Sequence, residues 1–245
     1  MIIVSTAIRR IATSQFPRGF RASTPSTRPA IRPFSKMAQK PAPRRRMNNP
    51  AIFVCDLQEK FRNAIYEFDK VVLTTQKVLR AAQAFDIPIY TTTQNRARLG
   101  DTVSELQPYL EGPQCRAHAD KTLFSMFVPS VTEQLGAAPA QIVLVGIESH
   151  ICITQTALDA RRAGHAVYVL ADGVSSCNRE EVPLALARLR AEGVVVTTSE
   201  SWLYEFVGDA GLPEFKSVIG IVKDTSADTK KVLQSLAPVQ GASKI

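Results

Sequence analysis

Short apolar runs alternate with segments of helical periodicity along most of the chain. The most regular run covers residues 142–145 and stops at Gly146, which favours a strand covered on both faces. Further strands are predicted at residues 51–55, 87–92, 166–171 and 194–198. Helices are predicted at residues 69–86, 131–135, 152–163, 180–192, 200–207 and 212–223. This alternation predicts one α/β domain with a parallel sheet and helices on both faces.

Three connecting segments lack a regular period. Residues 94–118 contain two glycines and two prolines and are predicted to form a loop-rich insert that serves as a pocket wall at the sheet edge. Residues 172–173 are predicted to form a turn after a strand. Residues 224–245 are polar and are predicted to form a flexible C-terminal tail. The folded domain is therefore predicted to cover residues 47–223.

The first 46 residues differ in composition from the rest of the chain. They are rich in Arg, Ser, Thr and Pro, and no acidic residue occurs before Asp56. Ile3, Ala7 and Ile11 would share one helical face. This composition is typical of a mitochondrial transit peptide, so we expect the protein in the mitochondrial matrix.

A second interpretation of residues 1–46 is a disordered basic leader. Met37 could start a shorter form, which would be cytoplasmic. The chain ends in Ala-Ser-Lys-Ile, which is close to the Ser-Lys-Leu peroxisomal signal, so the shorter form could also be peroxisomal.

The basic character of the chain belongs to this leader. The net charge is +8, but eleven of the 30 basic residues precede Asp56, and the remainder carries 19 basic against 22 acidic residues. The body shows no basic stripe with interleaved aromatic residues, so we expect no nucleic-acid partner. No apolar run is long enough for a membrane span, so we expect no membrane partner.

Cys152 is the first candidate for chemistry. The strand at residues 142–145, a polar turn and a helical pattern would place this thiol at the carboxyl edge of the sheet, where ligands bind in open α/β sheets. The positive end of a helix dipole would favour its thiolate form. The alternative is a buried structural residue, since free cysteine is among the most buried residue types.

Asp56 and Lys121 are candidates for the same pocket. Asp56 directly follows the first predicted strand, and Lys121 lies between Asp56 and Cys152 in the chain. A carboxylate can take a proton from a thiol, and a cation would stabilise the resulting charges. From spacing alone, Asp56 could equally cap a turn and Lys121 could be a solvated surface lysine.

Seven segments resemble the isochorismatase-like cysteine hydrolases. They are CDLQEKF at 55–61, LGDTVSEL at 99–106, KTLFSMF at 121–127, GIESHICITQTALDA at 146–160, ADGVSS at 171–176, TSES at 198–201 and PEFKSVIGIVK at 213–223. They occur in the family's order over about residues 50–223. The resemblance implies a three-layer α/β/α Rossmann-like sandwich with a mostly parallel sheet.

The resemblance also implies a catalytic triad. By motif, Asp56 matches the family's base, Lys121 its lysine and Cys152 its nucleophile. The family has a cis peptide before the cysteine, which corresponds here to the bond between residues 147 and 148. The backbone N–H groups of Glu148 and Cys152 would then form the oxyanion hole.

Departures from the nicotinamidases of the same superfamily argue against a metal site. Those enzymes hold a metal with an Asp and histidines, whereas Gln58 occupies a ligand position here and residues 91–100 contain no His. We therefore expect no metal and no cofactor. Gln58 and Gln94 are candidate substrate-binding amides, with a structural hydrogen-bonding role as the alternative. His150 is interpreted as a residue of the helix start or pocket wall, and not as a catalytic base.

The remaining cysteines, Cys55, Cys115 and Cys177, are interpreted as structural. They are widely spaced and form no CxxC pair, which indicates a reducing compartment.

Together these observations predict a metal-free cysteine hydrolase that cleaves a small amide or another C–N acyl substrate through a thioester on Cys152. Its expected partners are a small-molecule substrate and further copies of itself in a homo-oligomer. The alternative is a catalytically silent interaction or redox-sensing protein that keeps the fold and a reactive thiol.

Overall fold

The computed structural model describes residues 45–237. Its strands are β1 (Pro50–Cys55), β2 (Ile89–Gln94), β3 (Cys115–Lys121), β4 (Gln141–Ile147), β5 (Ala166–Ser175) and β6 (Val195–Thr197). Its α-helices are α1 (Phe68–Phe85), α2 (Arg96–Leu99), α3 (Gln107–Leu110), α4 (Pro129–Leu135), α5 (Thr154–Arg162), α6 (Glu181–Ala191), α7 (Ser199–Val207) and α8 (Phe215–Leu236). The strands form one six-stranded sheet in the order β3-β2-β1-β4-β5-β6, with each neighbouring pair parallel.

The sheet separates two hydrophobic cores, because successive residues of a strand point to opposite faces. On β1, Ile52 and Val54 face the core that includes residues of α1, α7 and α8. Phe53 and Cys55 face the core that includes residues of α4, α5 and α6. The predicted three-layer α/β/α sandwich is thus confirmed.

The chain order reverses between β1 and β4. From β1 the sheet continues through β2 and β3 on one side, and from β4 it continues through β5 and β6 on the other. Such a switch point leaves a crevice at the carboxyl ends of its two strands. Gly146 pairs with Cys55 at this position, and a Cβ on Gly146 would collide with the Cys55 carbonyl oxygen. Glycine therefore allows β4 to lie close to β1 where both strands end.

The predicted loop-rich insert contains an unpredicted strand, β3. Residues 115–121 pair with β2 at the edge of the sheet. Most of β3 is exposed or half-buried, and only Ala119 and Lys121 are buried. The loop interpretation was wrong for these residues because an edge strand carries polar side chains and no continuous apolar run.

The predicted turn at residues 172–173 is also wrong, because β5 continues through it to Ser175. Asp172 is buried within the strand and accepts hydrogen bonds from the backbone N–H and the hydroxyl of Ser199, at 2.7 and 2.6 Å. These bonds satisfy the carboxylate of a residue that lies within the buried part of the sheet.

The predicted flexible tail is wrong for residues 224–236, which complete helix α8. Val232 and Leu236 are buried in the core that α8 shares with α1. The Lys77 ammonium lies 3.2 Å from the Thr229 hydroxyl, which adds a polar contact between the two helices. The tail therefore belongs to the folded domain at least as far as Leu236.

The predicted leader at residues 1–46 lies almost entirely outside the described residues. Its last two positions contact the body. Arg45 forms an ion pair with Glu214 at 3.1 Å, and the Arg46 N–H donates to the Phe206 carbonyl oxygen. The folded body therefore includes Arg45 and Arg46, two residues more than the sequence predicted.

Candidate active site

Asp56 lies directly after β1 at the switch point of the sheet. Its backbone has a positive φ of 52°, and its N–H donates to the Thr92 carbonyl oxygen. The Thr92 hydroxyl donates to Asp56 Oδ1 at 2.7 Å. With 2% of its surface exposed, Asp56 is held in the crevice by its own strand and by the neighbouring β2.

Lys121 ends β3 and points its ammonium group at Asp56. Nζ lies 2.7 Å from Asp56 Oδ2 and 2.7 Å from Gln94 Oε1. The carbonyl oxygens of Leu123 and Phe124 each lie 3.1 Å from the same nitrogen. These acceptors compensate for the burial of the Lys121 side chain, which is 1% exposed.

The charge state of Lys121 follows from its neighbours. Burial acts to lower its pKa, but the electrostatic influence of the neighbouring acidic groups and the hydrogen bond to Asp56 raise the pKa above its ordinary value overall. Lys121 therefore stays protonated at neutral pH and supplies a positive charge to the site.

Cys152 lies in a π-helical turn, Ser149–Ile153, between β4 and α5. The Thr156 hydroxyl donates to the Cys152 carbonyl oxygen at 2.6 Å and accepts from the Met126 N–H at 2.9 Å. Thr156 thus joins the cysteine turn to the segment that follows Lys121. Cys152 is buried, with 7% of its surface exposed.

The three residues predicted from motif meet in one cluster. A carboxylate oxygen of Asp56 and the sulfur atoms of Cys152 and Cys55 all lie within 4.8 Å of one another. Lys121 joins the cluster through its 2.7 Å contact with Asp56, across 65 positions of sequence. A thiol, a carboxylate and an ammonium group therefore share one crevice at the switch point.

Cys55 is a member of this cluster that sequence reasoning missed. Its Sγ lies 3.5 Å from Asp56 Oδ2. Burial raises the pKa of Cys55 well above its ordinary value, and the neighbouring Cys152 and the negative charge of Asp56 raise it further. Cys55 therefore remains a thiol, and its S–H donates to Asp56 Oδ2. The sequence showed that Cys55 directly precedes Asp56, but its proximity to Cys152 depends on the pairing of β1 with β4.

The turn before Cys152 has the backbone expected from the resemblance. The peptide bond between Ile147 and Glu148 is cis. The Glu148 carbonyl oxygen accepts from the N–H groups of Ile151 and Ile153, each at 3.1 Å. This arrangement fixes the course of the turn whose Glu148 and Cys152 N–H groups are the predicted oxyanion donors.

Gln58 has the structural role that the sequence left as an alternative. Its side chain is fully buried, and its Nε2 donates to the carbonyl oxygens of Gln94 and Gly100, at 3.2 and 2.7 Å. Its Oε1 accepts from the Gln94 N–H at 2.7 Å. Both amide hydrogens are thus used inside the protein, which leaves no donor for a substrate.

Gln94 also supports the cluster. Its Oε1 accepts from Lys121, and its Nε2 donates to the Thr122 carbonyl oxygen at 2.9 Å. Gln94 therefore positions the Lys121 ammonium group, and these two bonds leave its second amide hydrogen for the predicted substrate contact.

The histidines within residues 45–237 lie outside this cluster. His118 Nε2 lies 3.1 Å from the Thr102 hydroxyl, and His165 Nδ1 accepts from the Ala140 N–H at 3.0 Å. His150 Nδ1 lies 3.0 Å from the Ser176 hydroxyl. The donors expected of a nicotinamidase metal centre are thus not assembled around Asp56 in this part of the chain, where Gln58 is committed to backbone groups.

An open groove of 480 Å³ borders the site. It is lined by Asp120, Lys121, Thr122, Leu123, Val128, Pro129 and Ser130. The neighbouring side chains of Leu123 and Phe124 are 59% and 50% exposed. The segment whose carbonyl groups hold Lys121 therefore also presents an apolar surface beside the groove.

The comparison with protein families decides the assignment. Residues 50–201 match the isochorismatase domain. The chain belongs to the isochorismatase family. Isochorismatase domain-containing protein 2 of Xenopus laevis is 40% identical over 180 residues, which cover 73% of this chain and 85% of the relative.

Solved structures agree with this family assignment. A structure described as MAR1 ribonuclease from Caenorhabditis elegans has a TM-score of 0.66 and 33% identity, covering 80% of this chain and 95% of that chain. The YcaC gene product of Escherichia coli, described as an octameric hydrolase of unknown specificity, has a TM-score of 0.66 and 20% identity. It covers 82% of this chain and 100% of the YcaC chain, and it shows the shared fold.

Membership in the isochorismatase family supports a hydrolase of this superfamily. Within residues 45–237, no helix of this family member is both long and apolar enough to cross a membrane.

Proposed function

We propose that this isochorismatase-family protein is a metal-free cysteine hydrolase that cleaves the C–N bond of a small amide through a thioester on Cys152. The observation that carries the proposal is the cluster at the switch point. There the Cys152 sulfur lies within 4.8 Å of an Asp56 carboxylate oxygen, and Lys121 lies 2.7 Å from Asp56. The buried cluster combines a nucleophile, a base and a fixed positive charge.

In the first half of the reaction, the Asp56 carboxylate takes the proton from the Cys152 thiol. The thiolate attacks the carbonyl carbon of the amide and forms a C–S bond. The tetrahedral intermediate collapses, the C–N bond breaks, and the leaving nitrogen takes the proton from Asp56. The acyl group is then held as a thioester on Cys152.

In the second half, water replaces the amine. Asp56 takes a proton from the water as it attacks the thioester carbon, and the C–S bond breaks to release the carboxylic acid. The proton then returns from Asp56 to the Cys152 sulfur. Asp56 therefore accepts one proton and gives it back in each half of the reaction, and no external oxidant or reductant is needed.

Two residues beside Asp56 and Cys152 stabilise the charges that form during the reaction. The Lys121 ammonium group stabilises negative charge, whether it resides on Asp56 or on Cys152. The Cys55 S–H, which donates to Asp56 Oδ2, is proposed to turn to the Cys152 thiolate once Asp56 is protonated, since the raised pKa of Cys55 keeps its proton in place. The N–H groups of Glu148 and Cys152 are proposed to bind the oxyanion.

A metal-independent reaction is favoured by the chemistry of Gln58. Its amide hydrogens are bonded to the carbonyl oxygens of Gln94 and Gly100, so Gln58 fixes the loop beyond β2. A nicotinamidase-type metal would require a histidine in its place. The Lys121 cation beside Asp56 would in addition repel a metal ion.

Turnover of a panel of small amides and ureides tests the proposal. We expect at least one compound to be hydrolysed by the full chain and Cys152→Ala to lose the activity. Cys115→Ala is the matched control, because Cys115 lies at the opposite end of β3 from Lys121, and it should retain the activity. Unchanged turnover in Cys152→Ala would refute the proposed nucleophile.

Similarity to the Caenorhabditis elegans structure described as a ribonuclease makes RNA a second substrate to test. The cluster at the switch point is suited to acyl transfer, and its Asp56, Lys121 and Cys152 are almost fully buried. A single-stranded RNA should therefore remain intact in an assay that hydrolyses an amide. Cleavage of RNA that is lost in Asp56→Asn, with no amide turned over, would favour ribonuclease activity instead.

A catalytically silent interaction or redox-sensing protein would behave differently in the same assays. Such a protein would turn over neither substrate class, although Cys152 could still react with an alkylating agent.

We also propose that copies of the chain associate through the surface beside the groove. Leu123 and Phe124 are large, apolar and at least half exposed, and such neighbouring side chains often mark an interface. The octamer described for the related Escherichia coli fold supports a homo-oligomer as the occupant of this surface.

A further inference from the structure

A second cluster of metal-binding side chains lies outside the proposed catalytic site. Glu148, His150 and Cys177 each present one ligand atom, and these three atoms lie within 4.8 Å of one another. They come from the position directly after β4, from the π-helical turn and from the segment after β5. None of the steps proposed for hydrolysis uses their side chains.

Local hydrogen bonds hold this second cluster together. The Cys177 N–H donates to Glu148 Oε2 at 3.1 Å, and His150 Nδ1 lies 3.9 Å from the same oxygen. The Ser176 hydroxyl lies 3.0 Å from the same His150 Nδ1, and a metal ion bound through this nitrogen would displace that contact. The three ligand residues are therefore kept together by contacts on both sides of the cluster.

The structure assigns Glu148, His150 and Cys177 as a binding site for one Zn²⁺ ion. A thiolate, an imidazole and a carboxylate are the ligand types that zinc takes, and three protein ligands leave a fourth position for water. In a tetrahedral site with bonds of about 2.0–2.3 Å, ligand atoms lie about 3.2–3.8 Å apart. From separations of at most 4.8 Å, the ligand atoms would thus need to approach one another by at most about 1–1.6 Å.

Access and charge are compatible with this assignment. Cys177 is exposed, and the side chains of Glu148 and His150 are 20% and 25% exposed, so an ion can enter from solvent. Binding forms a Zn–S bond in place of the S–H bond of Cys177 and releases one proton to the solvent. The resulting thiolate and the Glu148 carboxylate neutralise the two positive charges of the ion.

The bound ion would connect parts of the chain that surround the proposed nucleophile. Glu148 and His150 lie at the turn that leads to Cys152, and Cys177 lies beyond the neighbouring strand. Zinc would therefore tie the cysteine turn to the segment after β5.

Cobalt binding tests the assignment without any need for enzymatic activity. The reduced, metal-free full chain is titrated with Co²⁺, and the absorption spectrum is recorded. We expect the visible bands of tetrahedral cobalt together with a thiolate-to-cobalt charge-transfer band, at one equivalent of metal. Zn²⁺ should abolish both by displacement.

Variants locate the site. Cys177→Ser should lose the charge-transfer band, and His150→Ala should weaken binding by about tenfold or more, since even outer-shell partners contribute that much. Cys152→Ser and Cys115→Ser should keep the spectrum. Because Cys177 is exposed, its substitution leaves the cores intact.

Two results would overturn the assignment. A spectrum that survives in Cys177→Ser but disappears in Cys152→Ser would place the metal at the cluster of Cys55, Asp56 and Cys152. Absence of any thiolate-to-cobalt band in the wild-type chain would show that the three side chains do not bind the ion. Neither result depends on hydrolysis, so the proposed function is tested separately.

Discussion

Lys121 Nζ lies 2.7 Å from Asp56 Oδ2 although 65 positions separate the two residues in the chain. Both side chains are almost fully buried, with 1% and 2% of their surface exposed. A buried ion pair is costly to break, because removal of one partner leaves the other charge without compensation. The pair therefore links the stability of the domain to the proposed chemistry.

The substitution Lys121→Met is expected to lower the free energy of unfolding by about 3–5 kcal/mol, because Asp56 would lose its buried counter-charge. The added substitution Asp56→Asn should restore part of this loss. Urea denaturation of the two variants measures both effects. As a surface control, Arg162→Ala removes an ion pair whose arginine is 75% exposed, and it should cost less than about 1 kcal/mol. A similar small loss in Lys121→Met would contradict the account of the buried pair.

The raised pKa of Lys121 predicts how the stability depends on pH. Its ammonium form is favoured in the folded state, so its contribution is complete below the unfolded pKa of about 10.4 and is lost as pH rises through the higher folded pKa. Tyr90 and Tyr168 also have raised pKa values, chiefly from burial, and they act in the same direction.

The difference in stability between the wild-type protein and Lys121→Met therefore separates the contribution of the lysine from that of the two tyrosines. Thermal unfolding at neutral and strongly alkaline pH should show a stability gap that narrows as the pH rises above about 10.4. If this difference in stability stayed constant with pH, the charge of Lys121 would not contribute to the stability of the folded protein.

Cys55 is expected to support the reactivity of Cys152. In Cys55→Ala the thiolate of Cys152 loses a hydrogen-bond donor, and a typical hydrogen bond of about 0.5–1.5 kcal/mol corresponds to an alkylation rate lower by about two- to tenfold. Iodoacetamide labelling at neutral pH, followed by peptide mapping, measures the rate at Cys152. Cys115→Ala is the control and should leave that rate unchanged; an equal effect in both variants would remove Cys55 from the site.

The exposed apolar surface predicts a specific effect on assembly. Leu123→Asp and Phe124→Asp should each reduce the molecular mass in sedimentation velocity, because they place charge in the proposed contact between copies. Leu184→Asp is the matched control, since Leu184 lies on α6 and is 67% exposed. Dissociation by Leu184→Asp alone would move the interface to the other surface.

Helix α8 is expected to contribute to stability beyond the predicted domain boundary. A chain that ends at residue 223 would lose the buried side chains of Val232 and Leu236 and should unfold at a lower temperature. Val232→Ala in the full chain should cost about 1–3 kcal/mol by removing buried methyl groups. Calorimetry of both chains checks this, and a truncated chain as stable as the full one would show that the tail contributes nothing.

The regular part of the fold could be predicted because burial leaves a clear pattern. The strand at residues 142–145 and the helix at residues 69–86 correspond closely to β4 and α1, since each presents the period of its element. The edge strand β3 carries polar residues on most of its length, which removes that signal.

The second part of helix α8, beyond the predicted end at residue 223, was missed for a related reason. Its residues 225–231 are mostly polar, and its last apolar contacts, Val232 and Leu236, follow after this gap. Only the position of α8 against α1 shows that these two residues complete the same buried face.

The sequence motifs were sufficient to predict three of the residues that form the candidate site. Asp56, Lys121 and Cys152 belong to recognisable segments, and the structure brings them together. The contacts of Cys55 and the bonds of Gln58 with the loop beyond β2 could not be predicted, because they depend on which strands are neighbours and on the path of that loop. The same limit applies to Cys177, whose approach to Glu148 depends on the pairing of β4 with β5.

The measurement that tests the central proposal most directly is the mass of the protein during turnover of an amide substrate. We expect an increase equal to the mass of the acyl group, which peptide mapping should place on Cys152, and which should be absent in Cys152→Ala and retained in Cys115→Ala. Hydrolysis that proceeds with no acyl group on Cys152, or that continues in Cys152→Ala, would contradict it.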